Sequence, residues 1–116
     1  MLDRSGRFLA AVGSPGGSAI LTYNAKTLVG LLAWGLTMQQ AIDLPNFGAQ
    51  TSATTEVEKG TVLSALQPGL AARGHTVAVV DINSGLQGIV RVRLPDGRPG
   101  WAGGADPRRE GVALGD

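Results

Sequence analysis

At 116 residues the chain is long enough for one domain and too short for two, and residues 1–116 read as a single domain. Ten basic and nine acidic residues are scattered along it for a net charge of +1, which leaves no electrostatic footprint for nucleic acid and no membrane-binding patch. The absence of cysteine excludes disulfides, thiol catalysis and thiolate metal sites, and a charged fraction of only 16% leaves few charges to keep the surface monomeric.

In chain order, Phe8 to Val12 is a short apolar run predicted as a strand, ended by the breaker cluster Gly13-Ser14-Pro15-Gly16-Gly17. Leu21, Ala25, Leu28 and Leu32 then recur at i, i+4, i+7 and i+11, on one face of a helix predicted from about Ser18 to Ala33 and ended by Gly35. Thr37 and Gln40 match a capping box, in which a hydroxyl and an amide satisfy free N–H groups, so a second short helix should run to Leu44 and stop at Pro45. A strand is expected over Thr54 to Glu58. After it, Gly60-Thr61 opens a helical pattern with Leu63, Leu66 and Leu70 on one face and Gly74 at its end. Pro68 removes a donor inside that pattern and either kinks the helix or begins a second piece. Thr76 to Asp81 reads as a buried strand. Gly88 to Leu94, the Pro95-Asp96-Gly97 turn and a run to Gly103 read as a hairpin. The predicted order is β-α-α-β-α-β-β-β, and because a tight turn joins the last strands, part of the sheet must be antiparallel. That favours an α+β fold over a doubly wound parallel sheet.

The stretch Ile20 to Leu36 is apolar but broken by Thr22, Asn24, Lys26 and Thr27, too polar for a membrane span. Met1-Leu2-Asp3-Arg4-Ser5 has no apolar h-region, so no ordinary signal peptide is expected on this chain.

The chemistry concentrates in Val12-Gly13-Ser14-Pro15-Gly16-Gly17-Ser18. A glycine-rich turn between a strand and a helix start gathers unpaired N–H groups, which can hold a dinucleotide, a phosphate or the oxyanion formed when a carbonyl is attacked. A Walker phosphate loop needs a lysine followed by Ser or Thr, whereas Gly17 is followed by Ser18-Ala19. The dinucleotide fingerprint fails as well, because the spacing is G-S-P-G-G and the next acid is Asp43. A plain tight turn and an oxyanion loop both stay open on the residues alone.

The segment Arg7 to Ile20 with its G-S-P-G-G-S core resembles the glycine loop of γ-glutamyltransferases (γ-glutamyltranspeptidases), members of the N-terminal nucleophile hydrolase superfamily. Later landmarks fit in order: Ala41 to Phe47, Val57-Glu58-Lys59-Gly60, Leu70 to His75, and Gly103 to Arg108 with its A-D-P-R. Departures are Ala19, where bacterial members commonly have arginine, and Pro68 within a helix that is usually unbroken. The resemblance spans nearly the whole chain and implies part of an αββα sandwich, a mainly antiparallel sheet with packed helices. It implies that the backbone N–H groups of Gly16 and Gly17 are oxyanion donors for γ-glutamyl transfer or hydrolysis of glutathione-type substrates. The threonine nucleophile, the paired serines and the large-subunit arginine of that family are expected outside these residues. The chain alone is therefore expected to be an inactive C-terminal part of a small subunit, without cofactor or metal. Its expected partners are a γ-glutamyl substrate, the missing N-terminal part or large subunit, and further copies of itself. Many relatives are periplasmic or secreted. The alternative is a non-catalytic module that binds a small anion or another protein.

The remaining residues read as structural. His75, the single histidine, follows a helix-ending glycine and suits a turn or capping role; Asp81, Asp96 and Asp106 stand beside turns, where carboxylates accept local N–H bonds. Arg108-Arg109 beside Glu110 reads as a solvated surface run, and Trp34 and Trp101 as packing residues. Thr22, Thr27 and Thr37 are helix or cap residues.

Overall fold

The computed structural model describes residues 1–50 and 52–115. Six strands run β1 Ala10–Gly13, β2 Phe47–Gly48, β3 Thr54–Glu58, β4 Thr76–Val80, β5 Gln87–Arg93 and β6 Pro99–Ala105. Three helices are interleaved with them: α1 Ile20–Leu32, α2 Met38–Asp43 and α3 Gln67–Ala71. Two three-stranded sheets result, β1-β5-β6 with both pairs antiparallel and β2-β3-β4 with an antiparallel and a parallel pair. The fold is thus α+β and mainly antiparallel, as the hairpin signal required. The parallel β3–β4 pair was not foreseen; the helical segment between them carries the chain back to start β4 beside β3.

The first sheet holds the core. Ala10, Met38, Ile42 and Leu86 are fully buried there, joined by Ala19, Tyr23 and Val90. Helix α2 reaches the sheet closely because the strands present glycine beneath it. A Cβ on Gly88 would stand 2.5 Å from the Met38 sulfur, and one on Gly104 would stand 2.9 Å from Ile42 Cδ1. The predicted capping box starts α2: Thr37 Oγ1 accepts from Gln40 N–H at 3.2 Å, and Gln40 Oε1 accepts from Thr37 N–H at 3.0 Å.

Helix α1 follows a 3-10 turn at Gly17–Ala19, and its orientation corrects a natural assumption about its leucines. The buried face is Tyr23, Lys26, Thr27 and Gly30. The Leu21-Ala25-Leu28-Leu32 stripe lies on the opposite side, with Leu21 78% and Leu32 56% exposed. Trp34 and Trp101, read as packing residues, are likewise exposed at 63% and 56%, and Trp101 meets Phe8 edge to face at a centroid distance of 5.4 Å.

The helix expected over Leu63 to Leu70 divides at Pro68. A 3-10 segment, Val62–Leu66, precedes α3, which carries Pro68 in its first turn, the position where a missing N–H costs nothing. Gly74, at φ 87°, ends α3: its N–H donates to Ala71 O and that of His75 to Leu70 O, a Schellman arrangement. His75 therefore caps through its backbone.

No helix is long and apolar enough to cross a membrane among the described residues. The Cα radius of gyration is 15.9 Å, against about 13 Å for a compact domain of this length. The molecule is elongated, 50 × 31 × 25 Å.

Candidate active-site loop

Strand β1 ends at Gly13, and the chain turns through Ser14-Pro15-Gly16-Gly17 into the 3-10 turn that leads α1. Gly16 has φ 147° and Gly17 φ 57°, conformations that a side chain resists. Gly16 is constrained twice, because a Cβ there would stand 2.8 Å from the ring of buried Tyr23. Nothing lies within 4 Å of the Cβ position of Gly17, so the space in front of it is open. Neither amide N–H has a hydrogen-bond partner among the described residues, whereas Gly16 O accepts from Ala19 N–H and Gly17 O from Ile20 N–H.

The loop is braced from behind. Gly85 N–H donates to Ser14 Oγ at 3.0 Å, and Ser14 Oγ–H donates to Pro15 O at 2.8 Å. A Cβ on Gly85 would stand 2.9 Å from both Pro15 Cγ and Arg109 Cδ, so these two side chains flank one glycine. Arg109 is held there by donation to Asn83 O. The Tyr23 phenol is pushed up from its ordinary range by burial and by the negative charges of Glu56 and Glu58, so it stays protonated at neutral pH.

Behind the brace lies a polar network that reading the sequence missed. Arg108, taken there as a solvated surface residue, is 14% exposed at its side chain and grips Glu58 with two parallel bonds, Nε to Oε1 at 2.5 Å and Nη2 to Oε2 at 2.9 Å. Its Nη1 donates to Asp106 Oδ1 at 3.1 Å. Asp106 also accepts from Ser84 Oγ–H at 2.5 Å and from the N–H groups of Leu86 and Arg108. Burial pushes the Asp106 carboxyl up, but the bonds from Ser84, from the Arg108 and Leu86 N–H groups and from the Arg108 guanidinium outweigh it, and the net shift is downward. Burial likewise opposes the charge of Arg108, and its bonds to Glu58 and Asp106 hold it ionised.

Lys26 completes the network, its Nζ donating to Ile42 O at 2.8 Å and Leu44 O at 2.7 Å. Arg108 Nη1 and Nη2 reach the same two oxygens at 3.4 and 3.2 Å, so two cations cap the C-terminal end of α2. Of the other acidic residues weighed, Asp96 accepts from Arg98 N–H within its turn, as expected, and Asp81 pairs with Lys59 on the surface. Among the described residues no group of three His, Cys, Asp or Glu side chains could hold a metal. Thr22 and Thr27 bond back to the carbonyls of Ala19 and Tyr23 within the helical segment. The clue to the network was present: Val57-Glu58-Lys59-Gly60 and Ala105-Asp106-Pro107-Arg108 both stood out as landmarks, and their joint meaning is that they bind each other across 50 positions.

The chain is 29% identical over 127 aligned positions to the glutathione hydrolase proenzyme of Pseudomonas sp. (strain A14), covering 99% of this chain and 21% of that protein. A mutant γ-glutamyltranspeptidase of Helicobacter pylori superposes with a TM-score of 0.82 at 22% identity, over 94% of this chain and 58% of that one. The Pseudomonas nitroreducens γ-glutamyltranspeptidase complexed with L-DON gives a TM-score of 0.78 at 21% identity, over 100% of this chain and 60% of that one. These likenesses show the fold; the chain spans about a fifth of its curated relative and under two thirds of the solved chains. The family model for γ-glutamyltranspeptidase matches residues 1–116, and the chain belongs to that family.

Proposed function

We propose that this chain, as one domain, supplies the oxyanion half of a site for γ-glutamyl transfer or hydrolysis, with Gly16 and Gly17 as the donors. The observation that carries the reading is the pair of amides without internal partners, held at φ values that favour glycine and opening on free space. When a nucleophile attacks the γ-carbonyl, its electron pair forms the new bond to carbon, the π pair of the C=O bond moves onto oxygen, and the oxygen becomes anionic. Two fixed N–H donors stabilise that charge more than the neutral carbonyl, and loss of one typically costs about 3 kcal/mol of transition-state stabilisation. In this reading the loop supplies N–H donors and no nucleophile; Ser14 Oγ is engaged with Pro15 O and Gly85 N–H. The reaction therefore needs a nucleophile and a carboxylate anchor from another segment, and the substrate class is a glutathione-type γ-glutamyl compound.

The purified chain should release no product from a γ-glutamyl anilide. Exchanged for the matching segment of the Pseudomonas sp. (strain A14) glutathione hydrolase proenzyme, it should support turnover. In that chimera Gly16→Ala, which drives a methyl into Tyr23, should lower kcat about a hundredfold while the precursor is still cleaved. Turnover by the isolated chain, or a Gly16→Ala chimera with unchanged kcat, would overturn the proposal. Micromolar binding of simple anions at the loop without any chimera activity would favour the module reading instead.

A further inference from the structure

We infer, building on the oxyanion reading of this loop, that Tyr23 is a positioning residue: its ring holds Gly16 in place and, through Gly16, fixes the direction of both loop amides. Two glycines in succession leave a chain much freedom, and Gly16 at φ 147° and Gly17 at φ 57° each occupy one of several conformations open to glycine. Gly17 has no restraint of its own on that side, since its Cβ position is empty to 4 Å. A pair of donors stabilises developing charge best when it is already aimed as the charge appears, so the restraint has to reach the pair through Gly16.

Tyr23 supplies it. Where a Cβ on Gly16 would stand, Cε2 of the Tyr23 ring is 2.8 Å away and Cδ2 3.3 Å, with the Ala19 methyl next at 3.8 Å. Ala19 and Tyr23 are four residues apart, one turn, so methyl and ring form a single platform under the loop. The ring is itself held. Tyr23 is 6% exposed, belongs to the core that contains Met38, Ile42 and Leu86, and accepts on its carbonyl from Thr27 Oγ1. Movement of Gly16 toward the helix meets this ring, and movement away stretches the bond from Ala19 N–H to Gly16 O at 3.0 Å. The brace from Ser14 to Gly85 acts on the residues before Gly16 and leaves this restraint to the ring.

The test uses the chimera with the Pseudomonas sp. (strain A14) glutathione hydrolase proenzyme, with sites counted by covalent titration of its nucleophile. Tyr23→Leu keeps an apolar filling without a flat ring, and kcat per site should fall about tenfold with KM changed less than about twofold. Tyr23→Phe keeps the ring and should keep the full kcat. A merely structural role would lower the number of sites and leave the turnover of each unchanged. In the full chain by itself, NMR relaxation should show the Gly16 and Gly17 amides gaining fast motion in Tyr23→Leu and not in Tyr23→Phe. Tyr23→Met, also without a ring, should behave as Tyr23→Leu and takes its place if the leucine variant does not fold. Full kcat per site in the ringless variants, amides as rigid in them as in wild type, or an equal loss in Tyr23→Phe would each overturn the inference. If Gly16→Ala still lowers kcat, the oxyanion reading survives that failure; if Gly16→Ala is indifferent, both fall.

Discussion

The two sheets are built to different standards. Around β1-β5-β6 the chain closes a core, with α2 pressed into glycine-lined strands and Met38, Ile42 and Leu86 sealed from solvent. Around β2-β3-β4 almost nothing closes: every residue of β4 is at least partly exposed, α3 and the 3-10 segment before it bury no residue, and Val57 and Glu58 alone are buried in the strand β3. The second unit carries a parallel strand pair without the covering that such pairs normally require on both faces. It depends instead on being tied to the first. Arg108, following β6, grips Glu58 at the end of β3, and Asn46, entering β2, donates through its N–H to Glu58 Oε2 and through its side chain to Ser84 Oγ. Apolar burial holds one unit, and a charged clasp holds the other to it.

The largest expected effect comes from opening that clasp. Arg108→Ala leaves Glu58 and Asp106 buried without their cation, which should cost about 3–5 kcal/mol by urea denaturation. Hydrogen exchange should show β3 and β4 losing protection while β5 and β6 retain most of theirs. Equal loss across both sheets would mean that the two units fold as one block. Truncation within the cores should sharpen the contrast. Ile42→Ala, at a fully buried site, should cost about 2–5 kcal/mol, whereas Leu70→Ala on half-exposed α3 should cost under about 1 kcal/mol. Similar losses at both positions would show that the second sheet is better packed than its exposure implies.

Legibility did not follow packing: β3 and β4 formed where the sequence placed them, although β4, read as a buried strand, is at least partly exposed throughout. The Gly13 to Gly17 loop, the capping box at Thr37 and the hairpin around Gly97 rest on local chemistry, and each formed within a residue or two of its expected place. Strand β2 escaped because two residues carry no periodicity. The stripe on α1 misled for a physical reason: periodicity reports that a helix has an apolar face, and only the surroundings decide whether that face turns inward. Here the inward face is occupied by Thr27, bonded back to Tyr23 O, by Gly30, which lets Ala41 approach, and by Lys26. Arg108 was misplaced similarly, since a short basic run says nothing of a carboxylate 50 residues away.

The smallest expected effect is a pH dependence lodged where the two units meet. Lys26 is held down to about 8, first by burial and then by the neighbouring positive charge of Arg108, against the partial support of Asp106, Glu58 and Asp43. Its folded value lies below the ordinary 10.5 of the unfolded chain. Below pH 8 both states hold the proton, and the cost of burying the charge is fully present. Between about 8 and 10.5 the unfolded chain holds more protons than the folded one, so this group makes stability rise with pH. Tyr23 acts oppositely near its own titration, because a raised phenol contributes stability that is lost once the folded form ionises, so the comparison belongs below pH 9.5 and against a reference. Lys26→Met provides that reference, since Arg108 still reaches both carbonyls that the lysine leaves. In urea titrations at pH 7.5, 8.5 and 9.5, wild type should gain steadily on Lys26→Met. A constant difference would mean that Lys26 keeps its proton through this range and that its bonds to Ile42 O and Leu44 O outweigh its burial.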